Sequence, residues 1–587
     1  MEVWHSPDNS ALSGIPATSS AIAYLGGTGE EYFSSLRQTS KSSNIAFIDS
    51  TVDDYQDLVK GLQNTDIWVL DPLQDEITQI TQVLSGLSGI KSLSIFSHGS
   101  DGHLQLGATD LNLNNLGNYA DELTNWRGAL TEDADILLYG CNLAASTAGQ
   151  EFVQEIDQLT GADVAASKDL TGSASVGGNW NLEFSTGAIE NPDILQSWAQ
   201  EGYNHALATF SVTNTNDSGA GSLRQAILDG NAAAGADTIN FTGVMADTTP
   251  DTITLTGGQL QISGDVTINN AAGASLLTIS GNNTSRVFQV DPNVNATIVG
   301  VTIANGKASD VGGGIFNYGG SLGLFNSTLK NNVAQAGGGI YNYHGGMLVN
   351  GGTFNNNIAT SAHGGGIYNL GGLEARNSTF NTNQAQADGG GIYNAGGASL
   401  TVDNDIFSQN TAGRFGGGIH NSGGANVTVT TSLINDGTAG ILGGGISNFG
   451  TIVSLDNTLI RGNQATSSGG AAGGVFNGGT ANITNTSILN NSTAGQGGGI
   501  YNDTGATLTL RANSLVSGNS GASGGGIYNL GTATVGDSTM ISNRLTSSSG
   551  TGPDVWGNYI SEGFNTVYKT TGSTGFSPAN GDTVIFG

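Results

Sequence analysis

Two residues in this chain have the types and the local sequence to do covalent chemistry together: His98 in SIFSHG and Cys141 in ILLYGCN. Cys141 is the single cysteine of 587 residues, so an internal disulfide is excluded. Each residue follows an apolar run that reads as a β-strand, and each has a glycine beside it. Reactive groups in open α/β sheets sit at the C-terminal ends of strands. On neighbouring strand ends an imidazole can take the thiol proton, and the sulfur can then form an acyl-enzyme with a carbonyl substrate. The backbone N–H groups of Gly99 and Cys141 are the natural oxyanion donors. His103, five residues beyond His98, could stand at the rim as a second polar group. The plainer alternative is a buried, inert thiol and a histidine that ties down a loop.

These residues need a sheet to hold them, and residues 43–205 supply its pattern. NIAFIDS, DIWVLDP, SLSIFSH and DILLYGC read as strands, and DVAAS follows a turn at Gly161. Amphipathic segments lie between them: 54–62, a helix with apolar residues at 77, 80, 83 and 84, and 148–159. Continuous apolar strands separated by amphipathic helices predict an α/β sheet covered on both faces. WNLEFSTG (180–187) reads as an edge strand or hairpin arm. Residues 1–42 are polar and Ser-rich, with one apolar stretch near Ile22, and read as a weakly structured lead-in or a single extra strand.

From about residue 208 the rhythm changes. Nine times, two or three glycines precede an aliphatic residue, usually an aromatic, and then Asn, as in GGGIFN, GGGIYN and GGVFN. The aliphatic positions run from Ile315 to Ile527 at spacings of 25 to 29 residues. A near-constant period with one turn phrase per period marks a solenoid. Coils this short, with almost no helical pattern, predict a parallel β-helix of three short strands and three turns per coil. Roughly thirteen coils over 209–560, stacked at about 4.8 Å, would make a rod on the order of 60 Å long. A short helix at 223–228 is placed to cap its open end. The phrase's aliphatic residue should point inward and its aromatic outward. The Asn that follows should form an internal ladder with the Asn of the next coil. Residues 561–587 read as a tail.

Composition narrows the function classes. The formal charge is −31, from 16 basic and 47 acidic residues. That argues against a broad basic face for nucleic acid or anionic lipid. No run approaches the ~20 apolar residues of a membrane-spanning helix. The N-terminus lacks a basic stretch followed by an apolar one, so export would use a signal read elsewhere or lying outside this sequence. The acidic surface is compatible with calcium, but no glycine-aspartate nonapeptide motif assigns a site. Asp403 and Asp405 could share a strand face, with Asp456 far along the chain and no basic residue beside the pair. That scarcity of paired acids argues against a lyase or hydrolase site on the rod.

Two resemblances follow from these residues. FIDSTVDDYQDLVKGL, LSIFSHGSDGHLQLG, LLYGCNLAASTAGQEF and GGNWNLEF closely resemble the bacterial domain of unknown function 4347, which is similar to the caspase-like, clan CD cysteine peptidase fold. The resemblance implies His98 as general base and Cys141 as nucleophile. Beyond these phrases no specificity pocket is marked; Asp101, Asp135 and Asp169 are candidates for recognising a basic side chain, and each reads equally well as a surface-loop acid. GAGSLRQAILDGN, the GGGIYN phrases and TGPDVWGN resemble right-handed parallel β-helices of bacterial surface proteins, including cyanobacterial adhesin-like and polymorphic outer-membrane-type repeats. The expected architecture is an α/β caspase-like head followed by a right-handed parallel β-helix. The expected function is an extracellular or cell-surface protein of adhesin or matrix type. One alternative is a cysteine peptidase, or self-processing domain, acting on a peptide through His98, Gly99 and Cys141. The other is polysaccharide binding or cleavage along the rod, which a contiguous row of exposed aromatics with clustered acids would favour.

Overall fold

The computed structural model describes residues 42–568 and 572–585, apart from 53, 72–73, 107–108, 175–177, 191–194, 204–206, 208, 233–236, 243–244, 246–247 and 271, together with the backbone of Ala21–Tyr24. The lead-in expected over 1–42 otherwise lies outside the described residues. The chain divides into two compact units, residues up to Ser211 with Leu228–Asn240, and Val212–Ile227 with Phe241–Gly587.

The first unit is built on a seven-stranded sheet. Its strands are β1 (Ala21–Tyr24), β2 (Asn44–Asp49), β3 (Asp66–Leu70), β4 (Ile90–Phe96), β8 (Leu130–Tyr139), β9 (Asp163–Ala166) and β10 (Phe184–Ser185). The order across the sheet is β1-β3-β2-β4-β8-β9-β10, parallel except for the last pair. Alternation along β2 explains why both faces are covered. Ile45 and Phe47 enter one apolar cluster, and Ala46 and Ile48 enter the other. Helices α1 (Tyr55–Gly61) and α5 (Ser197–Gly202) bring buried residues to the second cluster. Helices α2 (Glu76–Leu84), α3 (Ala120–Trp126) and α4 (Thr147–Thr160) bring theirs to the first. Helix α4 starts where Ser146 accepts from the N–H groups of Ala148 and Gly149, and ends at Gly161 with φ +67°.

Two local readings need correction. The strand read through to His98 ends at Phe96. Ser97 N–H still reaches the Tyr139 carbonyl, and the chain then enters a separate antiparallel sheet. That sheet consists of β5 (His98–Ser100), β6 (His103–Leu106) and β7 (Thr109–Asn112). Its strands are three or four residues long, too short to give a clear period. The arm expected at 180–187 shrinks to the two residues of β10.

The second unit is a right-handed parallel β-solenoid. One sheet of 14 strands begins at Asp251–Thr254, another of 13 at Leu260–Ile262, and a third long sheet continues from Val266–Asn269 to Ile560–Gly563. A fourth sheet of nine two-residue strands, such as Val333–Ala334, adds a short side that was not read from the sequence. The inner register is strict: Ile315, Ile340, Ile367, Ile392, Ile419 and Ile446 stack coil upon coil. The first glycine of each GGG phrase holds positive φ, as at Gly416 (+65°), where an added Cβ would lie 2.3 Å from the Ile419 carbonyl oxygen. Asparagine makes many of the other left-handed corners, including Asn331, Asn356 and Asn404.

The expected asparagine ladder is present. Nine buried asparagines from Asn317 to Asn529 are joined by eight Nδ2–H···Oδ1 bonds of 2.7–2.8 Å between successive coils. A second ladder runs Asn332–Asn357–Asn383–Asn410 and resumes at Asn463–Asn491–Asn519–Asn543. In the helix Leu223–Ala232, Arg224 donates to the carbonyls of Gly258 and Gln259 and to Asp217.

Candidate functional site

β4 and β8 are direct neighbours, with Phe96 opposite Tyr139 and their rings stacked at 4.5 Å. His98 and Cys141 each lie two residues beyond these strand ends. Gly99 is packed against the Cys141 backbone, where a Cβ would sit 3.0 Å from the Cys141 carbonyl oxygen. The sheet therefore places the backbones of Gly99 and Cys141 in contact, with His98 beside them in the chain. It does not join the His98 and Cys141 side chains by a hydrogen bond.

His98 is 7% exposed and its Nε2 lies 3.2 Å from the Thr51 carbonyl oxygen. A carbonyl can only accept, so in the neutral ring Nε2 carries the hydrogen and Nδ1 is a bare lone pair. That Nδ1 is buried and has no partner. Cys141 is fully buried. Its Sγ–H donates to the Thr171 carbonyl (3.4 Å), and the Thr171 N–H donates back to the sulfur (3.2 Å). Burial pushes the thiol up to about 12, and the charges of Asp237 and Asp169 add to that shift. At neutral pH this sulfur is a thiol, not a thiolate.

The two expected oxyanion donors are already occupied. Gly99 N–H and Cys141 N–H both donate to one acceptor, the Leu207 carbonyl oxygen, at 3.1 and 3.2 Å. Leu207 N–H in turn donates to the Thr171 carbonyl at 2.9 Å. Leu207 falls between the two domains that the sequence predicts. An apolar residue in a connecting stretch carries no chemical signal of its own. Thr51 and Thr171 were missed for a similar reason, since they act through their backbones.

The other candidates have partners of their own, although Asp169 lies beside Cys141, where its carbonyl accepts the Asn142 N–H. His103 Nδ1 lies 3.1 Å from both oxygens of Asp110, and that hydrogen bond raises its pKa. Asp101 accepts from Ser146 N–H, just before α4. Asp169 accepts from Asn179 Nδ2. Asp135 lies in the part of β8 that pairs with the start of β9, opposite Asp163. The three acids therefore do not assemble a pocket for a basic side chain.

Asp135 belongs to a different group. One oxygen each from Asp135, Asp163 and Glu190 lie within 4.8 Å of one another, the one such cluster among the described residues. Carboxylate oxygens are hard ligands, and these three could hold a calcium ion.

On the solenoid the acid pair is not a pair. Asn404, at φ +56°, turns the chain between Asp403 and Asp405. Asp403 ends a strand of one sheet at half-buried depth, whereas Asp405 is 1% exposed. Asp405 borders a shallow hollow with Asn377, Asn404, Ile406 and Thr431. Its Oδ1 accepts the Ser378 N–H at 2.5 Å, and its Oδ2 has no partner. Coiling brings Asp456 two coils from Asp403, through Thr430, and places Arg376 one coil away on the other side. Linear distance hid both neighbours.

A contiguous aromatic row does run along the solenoid. It passes through Phe316, Tyr341, Tyr368, Tyr393 and His420, then Phe476, Tyr501, Tyr528 and Trp556. Ser447 interrupts the register, and Phe449 bridges the gap at 5.7 Å from His420 and 5.2 Å from Phe476. Most neighbours stack face to face, as Tyr341 does on Tyr368 at 4.6 Å. The ring faces that a sugar would need are turned toward one another.

A family model described as a domain of unknown function, number 4347, matches residues 45–207. A model of the Chlamydia polymorphic membrane protein repeat matches residues 377–395 and 485–503. No curated protein and no solved structure matches the chain. The head and the solenoid are thus each similar to a known family. Among the described residues no helix is long and apolar enough to cross a membrane.

Proposed function

We propose that this is a secreted or cell-surface protein of adhesin or matrix type, in which the solenoid is a stiff repetitive support and the α/β head is carried on it. The observation that supports this is the use of polar groups inside the solenoid. Buried asparagines bond to their own copies in adjacent coils, and the aromatic faces stack on one another. Such a structure provides length and rigidity, and its acidic, periodic surface suits contact with matrix or cell-surface components. Similarity to the Chlamydia repeat agrees with that placement. Surface labelling of intact producing cells with a membrane-impermeant reagent tests it. We expect labelling without lysis, together with retention of beads coated with the full chain on cells or matrix. Labelling only after lysis would sink the reading.

A second reading is favoured by one observation, the carbonyl held by Gly99 N–H and Cys141 N–H beside a thiol. In it the head is a caspase-like cysteine peptidase with His98 as base. The test is modification of Cys141 by a peptide electrophile in wild type and in His98→Ala. Labelling that falls at least tenfold in the variant supports it, and slow labelling unaffected by the variant refutes it. Polysaccharide binding on the aromatic row is the weakest of the three readings, because most of the row has no free ring face.

A further inference from the structure

Leu207 is held the way a peptidase holds the residue it cleaves after. Its carbonyl oxygen accepts from two backbone N–H groups, and one of them belongs to the cysteine itself. Its own N–H is fixed on the Thr171 carbonyl and also faces the Cys141 sulfur. Its side chain is fully buried, in the same apolar cluster as Phe96, Tyr139, Cys141, Leu195 and Tyr203. A carbonyl so held becomes a stabilised oxyanion when sulfur adds to its carbon. His98, just beyond the end of the neighbouring strand β4, keeps a buried and unpartnered Nδ1.

We propose that Cys141 cleaves its own chain after Leu207, and that the site accepts peptide carbonyls that follow a leucine-sized apolar side chain. This rests on the peptidase-type reading of the head. The Cys141 thiol hydrogen leaves the Thr171 carbonyl and passes to His98 Nδ1. The sulfur adds to the Leu207 carbonyl carbon, and the oxygen takes the negative charge on the Gly99 and Cys141 N–H groups. His98 then gives its proton to the amide nitrogen of residue 208 as the C–N bond breaks, leaving a thioester at Leu207. Water, deprotonated by His98, hydrolyses the thioester to the Leu207 carboxylate and restores the thiol. In the observed state the thiol is held by the Thr171 carbonyl and not by His98, so turnover begins with a movement that brings Nδ1 to the sulfur.

The experiment is intact-mass analysis of the purified full chain in reducing buffer near pH 7.5, with and without calcium. Wild type should give fragments of 1–207 and 208–587, and Cys141→Ala should stay whole. Leu207→Met should still be cut, whereas Leu207→Asp should be cut at least tenfold more slowly. A leucyl chloromethyl ketone provides the parallel readout. An intact wild type whose Cys141 is labelled by that reagent in a His98-dependent way overturns self-cleavage and leaves the peptidase reading standing. An intact chain with an unreactive Cys141 overturns both. Cleavage at another bond, or cleavage that persists in Cys141→Ala, overturns the assignment to this site.

Discussion

The head and the solenoid bury polar groups by opposite means. In the solenoid a buried polar side chain meets its own copy about 4.8 Å away in the next coil. Asn421, for example, accepts from Asn394 and donates to Asn448, each at 2.8 Å. In the head each buried polar contact is made once, between unlike partners. Thr51 faces His98, Thr171 faces Cys141, and Leu207 bridges Gly99 and Cys141. Repetition marks the groups that hold the fold together. Chemistry is to be sought where a group is unique, and in the solenoid such groups are the places where the repeat is broken.

Asp405 is one such break, and the largest effect is expected there. In neighbouring coils Ser378, Ser432 and Thr458 occupy its position and accept the same backbone N–H. Burial raises the Asp405 carboxyl to about 7 from 3.8. A raised carboxylate pKa means stability that is complete below pH 3.8 and lost as pH rises through 7. The loss is on the order of 4 kcal/mol, at roughly 1.36 kcal/mol per pKa unit. Asp405→Ser should therefore raise the urea midpoint at pH 8 and leave it unchanged at pH 4. An equal effect at both pH values would show that the carboxyl's ionisation is not the cause.

His420 is the one titratable imidazole in the aromatic row's register, and its shift has the opposite sign. Burial lowers its pKa to about 4, and the charges of His363 and Arg414 add to this against the opposing pull of Asp388. A lowered histidine pKa means stability that is complete above 6.5 and lost as pH falls through 4. About 3 kcal/mol is at stake by the same conversion. His420→Phe, the residue type at 316 and 476 in the same row, should abolish that acid sensitivity. Thermal melts at pH 7 and pH 4.5 measure it, and an unchanged slope would shift the blame to another group.

What was legible in the sequence divides along the same line. The GGGIYN phrase announced the solenoid, its inward isoleucines and its asparagine ladder, because one local pattern was written nine times. The order of strands and helices in the head was legible from apolar runs alone. That His98 and Cys141 would lie at the ends of apolar strands was legible from the runs before them, though both strands stop two residues short and their pairing came only with the fold. The hydrogen bonds of the two side chains were not legible. Those depend on backbone groups of Thr51, Thr171 and Leu207, which any residue type could provide. The split of Asp403 from Asp405 was hidden because a left-handed Asn404 reverses the alternation that a straight strand would give. The approach of Asp456 and Arg376 to Asp403 was hidden because coil stacking joins residues 27 or more apart in the chain.

The smallest effect tests whether repetition also confines damage. Asn421→Ala removes the bonds to Asn394, Asn448 and the Ala425 carbonyl, and leaves the Asn448 Oδ1 buried without its donor. That should destabilise the chain by about 2 kcal/mol. In a quasi-one-dimensional stack the effect should reach neighbouring coils and fade beyond them. Hydrogen exchange should quicken at Asn394, Asn421 and Asn448, with Asn317 and Asn529 unaffected. Cys141→Ala makes the contrasting change in the head, where Phe96, Tyr139, Cys141 and Leu207 share one apolar cluster. Exchange there should quicken at Gly99, Thr171 and Leu207 alike, because no neighbouring copy can take up the lost contacts. If Asn421→Ala instead quickened exchange through every coil, the solenoid would be behaving as one cooperative core, and the distinction between the two regions would fail.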